Sequence, residues 1–455
     1  MNGIEAGDTA YVIMSGALVL LMTPGLALFY GGMVGERNVL NTLMLSFVAM
    51  CLIGVQWVLF GYALAFGPGN SVIGGEDFYG AIGVSLKAYE PYGTNLPHLA
   101  FWWFQLTFAM ITPALISGTV VGRLRMRAWI LFVLIWGTVL YDPVAHWVWG
   151  AWEEDGKMKY GWMRELGVLD FAGGIVVHIT SGFSALAAAL VIGQPTKEVP
   201  KEEAHSLPLV FIGTALLWFG WNGFNGGSAL SAGGVAALAT VNTNVSACMG
   251  MLTWMACDGM VKGVPTGLGA MTGAVVGLAT VTPAAGFIRP LSALVFGCVG
   301  ALVSFFSVEY LKKDIADTLD CFFCHGTSGV VGTVLLGLFA ETQMNPGGAD
   351  GLFFAFNADG AKFFGYQVMA TVVSAAWSFI FTYALLNAFK AIPAIGLRPS
   401  EMKEVMGMDA SLHAAKAYAL DDSLSDSKKK KMAQIDHVDD AESAPKKMFA
   451  DNAKV

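Results

Sequence analysis

Asp170-Phe-Ala-Gly-Gly-Ile-Val-Val-His178 is followed by Ile-Thr-Ser-Gly, and Asp317-Thr-Leu-Asp-Cys-Phe-Phe-Cys-His325 is followed by Gly-Thr-Ser-Gly. Each stretch begins with an aspartate, places a histidine eight residues later and continues to Thr-Ser-Gly. Both histidines lie in apolar runs, where an ionisable side chain is costly and usually marks a protein-lined path. The pattern therefore predicts an internal repeat in which the two histidines occupy equivalent positions.

Most of the chain consists of apolar runs long enough to cross a bilayer. The hydrocarbon core of a bilayer is about 30 Å thick and takes about 20 apolar residues per helix. Eleven stretches meet this length, which predicts an all-α integral membrane protein with 11 transmembrane helices. The predicted spans are roughly 10–32, 41–66, 98–122, 128–149, 169–193, 206–226, 236–258, 266–284, 290–310, 321–340 and 364–390. The stretches at 68–96 and 150–168 are predicted to be polar loops.

The composition agrees with this class. Hydrophobic residues make up 55% of the 455-residue chain and charged residues only 13%, whereas a typical soluble domain has about 25% charged residues. The last 55 residues carry 20 of the 60 charged side chains, so the apolar part is poorer still. The net charge of −8 comes from loops and tail and gives no sign of a nucleic-acid partner.

The two copies of the motif lie in the fifth and tenth predicted spans, so each half has five helices. An odd number of helices reverses the second half, which is the inverted-repeat plan of many transporters. The tail is predicted to be disordered, because it has too few apolar residues to form a core. The predicted units are a transmembrane domain at 1–395, with repeat halves at about 10–193 and 206–340 and an eleventh span at 364–390, a cytoplasmic regulatory segment at 396–420 and a tail at 421–455.

His178 and His325 are the first candidates for function. The repeat places both near its pseudo-twofold axis and therefore near each other. Two imidazoles in contact can share one proton, with one ring donating and the other accepting, and such a pair titrates as a unit. We expect a proton relay. The alternative is that both are packing histidines hydrogen-bonded to neighbouring helices.

Asp170 begins the fifth predicted span. An acid at a helix N-terminus interacts favourably with the helix dipole, so a structural role is the larger expectation. The same carboxylate could also make the entrance more electronegative, and the two roles are compatible.

Cys321-Phe-Phe-Cys324-His325 spells the C-x-x-C-H motif of c-type haem attachment. Haem attachment needs an exposed segment in an oxidising compartment, whereas this segment runs into a membrane span and the repeat already explains His325. We therefore predict no cofactor and no metal. An enzyme is the least favoured class, because the sequence shows no metal-ligand cluster, nucleophile triad or phosphate loop.

The orientation follows from basic residues in the short loops, which favour the cytoplasmic side. Alternate connections carry eleven basic residues on one side of the membrane and six on the other. This predicts a multi-pass protein of the cell membrane with its N-terminus outside and its C-terminus in the cytoplasm.

Over nearly all of residues 10–420 the sequence resembles the Amt/Mep/Rh ammonium transporters, and the bacterial and archaeal Amt branch more than the Rh branch. The fifth span is similar to the family signature almost letter for letter. Further agreement is found in Phe29-Tyr30-Gly31-Gly32, Ala145-His146-Trp147-Val148-Trp149-Gly150, Gly223-Phe224-Asn225-Gly226-Gly227-Ser228 and His325-Gly326.

The resemblance implies a homotrimer with one pore in each subunit. By motif, Trp149, Phe108 and Ser228 correspond to an external site that recruits ammonium. Phe108 and Phe224 correspond to a stacked phenyl gate, and Phe104, one helical turn before Phe108, falls on the face of the outer vestibule.

The twin-histidine pair of the family corresponds to His178 and His325. The implied mechanism begins with ammonium held by aromatic faces through cation–π attraction. The cation loses its proton, ammonia crosses the apolar pore and the proton passes along the paired imidazoles. Potassium has no proton to give up and is excluded.

Two alternative functions stay open at this point. One is an ammonium sensor that signals through a partner protein. The other is an Rh-type gas channel, although the aromatic entrance fits that type poorly. A PII-type signalling protein is a possible cytoplasmic partner. Ala414-Ala415-Lys416 stands where family members more often have glycine and acid, which weakens the expectation of a PII-type partner.

Asp142 also departs from the family, which usually has an apolar residue there. It lies one turn before His146, so we expect the two to pair.

Overall fold

The computed structural model describes residues 3–199, 203–413 and 415–418. The predicted tail over 421–455 and Ala414 lie outside these residues. The α-helices are α1 Ala6–Met33, α2 Val39–Gln56, α3 Tyr62–Phe66, α4 His98–Val120, α5 Met126–Trp136, α6 Asp142–Trp149, α7 Trp162–Glu165, α8 Thr180–Ile192, α9 Leu207–Gly227, α10 Gly234–Lys262, α11 Gly267–Val281, α12 Pro290–Leu311, α13 Thr327–Phe339, α14 Ala358–Ala391, α15 Glu401–Met406 and α16 Met408–His413.

Ten helical stretches of the described chain are long and apolar enough to cross a bilayer. The eighth predicted span, over 266–284, is instead α11, which has only 15 residues. At 1.5 Å per residue it is about 22 Å long, and a hydrocarbon core is about 30 Å thick. The chain turns immediately after it at Pro283, which has no backbone N–H to continue the helix. A multi-pass, all-α membrane protein is confirmed, whereas the count of 11 membrane-spanning helices is not.

Small residues let the helices approach closely. A Cβ atom added at Gly213 of α9 would lie 2.3 Å from the backbone N of Phe29 in α1. One added at Gly277 of α11 would lie 2.4 Å from the backbone O of Ser246 in α10. Helices in lipid associate through such close backbone packing, so these glycines fix which helices are neighbours.

Four π-helical turns interrupt the helices of the described chain, at Trp57–Gly61, Gly137–Tyr141, Gly174–Ile179 and Phe322–Gly326. Single π-turns inside α-helices are frequent at functional sites. The last two contain the histidines of the repeated motif, and each leads directly into the α-helix that begins with Thr-Ser-Gly.

The stretch predicted to be a polar loop at 150–168 is structured. It forms an antiparallel hairpin of β1 Ala151–Glu154 and β2 Lys157–Tyr160, followed by α7. Asp155 and Gly156 lie at the turn with φ of 53° and 73°. Asp-Gly is a preferred pair for a two-residue hairpin turn with positive φ at both positions, so this short local signal was present in the sequence.

The segment after α14 folds against the rest of the domain. Both carboxylate oxygens of Asp409 accept backbone N–H groups at the start of α2, from Leu40 at 2.9 Å and Asn41 at 2.8 Å. Arg398 pairs with Glu404 at 2.6 Å. The predicted cytoplasmic segment at 396–420 therefore contains ordered helices, α15 and α16, within its described part.

Candidate functional site: an aromatic vestibule above a histidine-lined pore

A cavity of about 420 Å³ opens at the end of the domain that carries the hairpin. Its lining brings together five of the predicted site residues from four different parts of the chain. They are Phe104, Phe108, Trp149, Asp170 and Ser228. Its volume is within the range of small-molecule sites, which are commonly about 300–1,000 Å³.

Aromatic rings form the floor of this vestibule. The edge of one ring meets the face of the other between Phe108 and Trp149, with centroids 6.0 Å apart and planes at 87°. Phe104 contacts Phe108 with centroids 4.9 Å apart. The Trp149 indole N–H donates to the carbonyl O of Asp170 at 2.8 Å, which fixes the orientation of the indole face.

Ser228 lies at the C-terminal end of α9 in the same cavity. Its hydroxyl donates to the carbonyl O of Phe224 at 2.8 Å. A hydroxyl that donates one hydrogen bond still has lone pairs for an incoming donor, so the Ser228 oxygen can accept from a cation that carries N–H groups.

The phenyl rings of Phe108 and Phe224 close the floor of the vestibule. Their centroids are 4.1 Å apart and their planes are at 29°, which is a stacked pair. Each residue is only 1% exposed. The pair separates the vestibule from the interior, so anything that enters must displace at least one ring.

Beneath the pair lies a narrow cavity of about 10 Å³, close to the least that holds one water. His178 and His325 supply its titratable side chains. The other residues that line it are apolar or aromatic, namely Met22, Leu26, Phe29, Ile111, Leu115, Val177, Leu217, Trp221, Phe224 and Val275.

The two histidines contact each other. Their Nδ1 atoms are 3.3 Å apart, and their rings are nearly parallel at 18° with centroids 5.2 Å apart. Trp221 and Phe224 flank the His178 ring at 5.6 and 6.2 Å. His178 Nε2 has no hydrogen-bond partner among the described residues. One shared N–H between the Nδ1 atoms satisfies that nitrogen of each ring and leaves His178 Nε2 able to take part in proton transfer.

The glycines of the two motif copies explain why the histidines meet. A Cβ atom at Gly182 would lie 2.2 Å from the Cα of Gly326, the residue after His325. A Cβ atom at Gly329 would lie 2.9 Å from a side-chain carbon of Ile179, the residue after His178. Each glycine thus contacts the matching position of the other copy, as expected for two helices related by a local twofold axis. The contact supports the repeat prediction.

Each motif copy begins with a carboxylate that caps its helix. In the first copy, Asp170 Oδ1 accepts backbone N–H groups from Gly173 and Gly174, and Oδ2 accepts them from Ile175 and Val176. The first four N–H groups of a helix have no partner within the helix. Asp170 therefore caps the first turn of the helix that carries His178.

In the second copy, Asp317 Oδ2 accepts the backbone N–H of Phe322 at 2.7 Å, and Oδ1 accepts the hydroxyl of Thr119 at 2.5 Å. Ile175 and Phe322 hold matching positions in the two copies, so the same backbone bond is made twice. The sequence repeat contained Asp317, but its partner on α4 could not be read from local spacing.

The predicted pairing of Asp142 with His146 is wrong. Asp142 Oδ2 instead accepts from the Gln56 side-chain amide at 2.6 Å. Both His146 ring nitrogens lie against backbone carbonyls, those of Ala65 at 3.0 Å and Asn70 at 2.8 Å. The imidazole therefore has no nitrogen left for the carboxylate one turn away.

The C-x-x-C-H segment is helical and closely packed. Cys321 and Cys324 are buried, and the Cys321 thiol donates to the carbonyl O of Leu115 at 3.0 Å. Across residues 3–199, 203–413 and 415–418, no group of three or more His, Cys, Asp or Glu side chains is arranged to hold a metal.

The sequence resemblance is borne out by comparison with known proteins. A model of the Ammonium Transporter Family matches residues 10–418. An ammonium transporter of Bacillus subtilis (strain 168) is 44% identical over 417 residues, which cover 91% of this chain and 99% of that protein. A putative ammonium transporter of Methanothermobacter thermautotrophicus is 45% identical over 423 residues, which cover 92% of this chain and 99% of that protein.

A crystal structure of Saccharomyces cerevisiae Mep2 superimposes over 88% of this chain and 91% of that chain, with a TM-score of 0.77 and 35% identity. The solved structure therefore shares the fold of this chain over most of its length.

Proposed function

The chain belongs to the Ammonium Transporter Family, and on that premise we propose that it moves ammonium across the membrane by recruiting the cation in the vestibule, removing its proton and passing ammonia through the pore. The observation that carries this proposal is the contact between two imidazoles, 3.3 Å apart at Nδ1, inside a pore lined otherwise by apolar and aromatic groups.

Recruitment takes place at Trp149, Phe108 and Ser228. The indole and phenyl groups attract a cation, while the Ser228 oxygen accepts one of the four N–H bonds of ammonium. Such a contact is worth about 1–2 kcal/mol. That is enough to concentrate a cation at the gate and too little to strip it of water.

Deprotonation is required by the lining of the pore. A cation in an apolar, water-poor path costs several kcal/mol even where the surroundings adapt. Ammonia is neutral and small, and it can pass the phenyl pair and the narrow cavity without that cost. Ions that cannot give up a proton are excluded for the same reason.

The proton left behind travels along His178 and His325. A proton delivered to one ring can be matched by release from the other, because their Nδ1 atoms already form a hydrogen bond. After one transfer both rings are in the other tautomer, so the protons on the two Nε2 atoms must also exchange, or the rings rotate, before the next transfer in the same direction. Transport by this route moves charge, since one proton crosses for each ammonia that it accompanies.

The recruitment step is tested by ammonium-evoked current in proteoliposomes that contain Trp149→Leu. Loss of the indole should raise the apparent KM for ammonium about fivefold to tenfold with little change in maximal current. Trp377→Leu is a matched control, because Trp377 contacts Trp147 at 5.7 Å and does not line the vestibule. An unchanged KM in Trp149→Leu would place recruitment elsewhere.

The assembly is proposed to be a homotrimer in the cell membrane, with one pore in each subunit, the N-terminus outside and the C-terminus in the cytoplasm. The family membership and the excess of basic residues in alternate loops support this arrangement. The subunit count can be measured from the mass of the detergent-solubilised protein, and the orientation from the labelling of single cysteines in sealed vesicles.

A PII-type protein is a proposed cytoplasmic partner, and its docking site would include the described part of the segment at 396–420. The support is that α15 and α16 are ordered against the start of α2, where a partner could sense or shift them. Binding of a purified PII-type protein to proteoliposomes tests this. No observation on this chain favours a sensor that binds ammonium without transport.

A further inference from the structure

Arg164 places a guanidinium in the wall of the cation vestibule. It belongs to the short helix α7 after the hairpin, and its side chain lines the same cavity as Phe108, Trp149 and Ser228. Nothing in the sequence motifs pointed to this residue. A fixed positive charge is unexpected beside a site that recruits a cation, because the two charges repel each other.

The guanidinium is held in place by two contacts. One Nη atom donates to the carbonyl O of Trp149 at 2.8 Å. The guanidinium carbon lies over the ring of Tyr160, 4.9 Å from its centroid. Arg164 therefore touches the backbone of the residue whose indole forms the recruitment face, and the hairpin strand β2 supports it from behind.

The charge is not cancelled within the cavity wall. Among the described residues that line the cavity, Asp170 is the one carboxylate, and each of its oxygens accepts two backbone N–H groups of the following helix turn. A carboxylate placed on a helix N-terminus is largely compensated by the positive end of the helix dipole. The guanidinium is thus the dominant formal charge facing the vestibule.

We propose that Arg164 is a specificity-determining residue of the vestibule, where its positive charge weakens the binding of cations at Trp149 and Ser228. The aromatic face attracts any cation, and the guanidinium repels a divalent ion twice as strongly as ammonium. The residue therefore keeps ammonium weakly held, so that it can proceed to the gate, and disfavours multivalent competitors. The inference rests on the proposed recruitment site.

The test is the KM and maximal current for ammonium in proteoliposomes at low ionic strength. Arg164→Gln removes the charge but keeps an N–H donor for the Trp149 carbonyl, and should lower KM about threefold without reducing maximal current. Arg164→Lys keeps the charge and should retain the wild-type KM. Raising the salt concentration should lower KM in the wild type, because screening weakens the repulsion, and should leave Arg164→Gln unaffected.

Lys362→Gln is the matched control. Lys362 also lies over a tyrosine ring, 5.6 Å from the centroid of Tyr366, but it is not among the residues that line the cavity. Its removal should leave KM and the salt response unchanged. An equal fall of KM in this variant would mean that only the overall surface charge matters and would overturn the proposal.

If Arg164 only positioned Trp149, its replacement would change KM in the opposite direction. If Arg164 served only to hold Trp149, both Arg164→Gln and Arg164→Lys would raise KM, and salt would affect neither. Trp149→Leu, measured in parallel, separates this outcome from failure of the recruitment site. A raised KM in Trp149→Leu with no fall in Arg164→Gln refutes the inference alone. No change in either variant refutes the recruitment site as well.

Discussion

The two histidine-bearing segments of this transporter share one plan but differ in what holds them. The first is self-contained, since among the described residues the carboxylate of Asp170 accepts hydrogen bonds only from backbone groups of its own turn. The second depends on other parts of the chain, because the carboxylate of Asp317 also accepts the hydroxyl of Thr119 on α4. Both copies therefore place a histidine in the pore, while each end is held by different partners.

The groups that surround Asp170 differ from those that surround Asp317. Asp170 lines the vestibule, and its carbonyl orients the Trp149 indole. Beside Asp317, the buried guanidinium of Arg123 donates to the carbonyl O of Ala316 at 2.8 Å. Burial in this loop lowers the pKa of Arg123 to about 10, which leaves it charged at neutral pH. The second end is thus tied into a charged network and the first into the proposed recruitment site.

The largest expected effect comes from removing what the two copies share. Replacing His178 and His325 together by alanine removes the paired rings of the proposed relay, so ammonium-evoked current on a solid-supported membrane should fall to background. The protein should still fold, because the helices around the pore keep their glycine contacts.

His178→Asp separates the relay from the selectivity of the pore. This variant keeps an ionisable group but adds negative charge in low dielectric, which favours a cation that stays protonated. It should pass current with potassium as well as with ammonium. An undiminished, ammonium-selective current in the double-alanine protein would return both histidines to a packing role.

The next effect comes from breaking the contact that brings the copies together. In Gly182→Ala the new methyl group would lie 2.2 Å from the Cα of Gly326, so the two helices must separate. Overpacking of this kind costs about 1–3 kcal/mol, and the distance between the histidine rings should increase. Thermal unfolding in detergent should show lower stability, and current should fall with it.

Gly365→Ala is the control for that substitution. Gly365 lies within α14 and an added Cβ atom meets nothing within 4 Å. Alanine is favoured over glycine inside a helix by about 1 kcal/mol, so this variant should be at least as stable as the wild type. Equal losses in Gly182→Ala and Gly365→Ala would mean that the contact between copies is not what determines the effect.

Features that depend on neighbouring residues or on a repeated motif could be predicted from the sequence, and features that depend on the fold could not. The spans were visible because apolar length is a local property, and the histidine pair was visible because the repeat relates distant residues. The 15-residue helix α11 was predicted as a full span because apolar residues continue past its end into a turn at Pro283.

Contacts between separate helices left no local signal. Gln56 donates to Asp142 across 86 positions of sequence, and no spacing rule links them. Arg164 likewise reaches the vestibule only because the hairpin and α7 fold over it, and its role depends on that fold. The sequence missed the Gln56–Asp142 contact because the partners are far apart in the chain, and it missed Arg164 because the position of its guanidinium depends on how the hairpin and α7 fold.

Changing one cap at a time tests the difference between the copies directly, and the smallest effect of all is expected for the second cap. In Asp170→Asn, one oxygen is replaced by an amide group that must face two backbone N–H donors. Neither a backbone N–H nor a side-chain NH₂ can accept, so two hydrogen bonds are lost and the charge at the helix N-terminus with them. The cost should be about 2–3 kcal/mol.

Asp317→Asn should cost less, about 1 kcal/mol or below. The remaining oxygen can still accept from the Phe322 N–H, and the new NH₂ can donate to Thr119, whose hydroxyl rotates to become the acceptor. Thr119→Val in the Asp317→Asn background removes that acceptor and should bring the loss of stability close to that of Asp170→Asn.

Unfolding midpoints of the four proteins, wild type included, rank these effects on stability. If Asp317→Asn proves as costly as Asp170→Asn while Thr119→Val adds nothing, the second cap is as self-contained as the first. The contrast between the two ends would then lie in the neighbouring Arg123 network and not in the carboxylates.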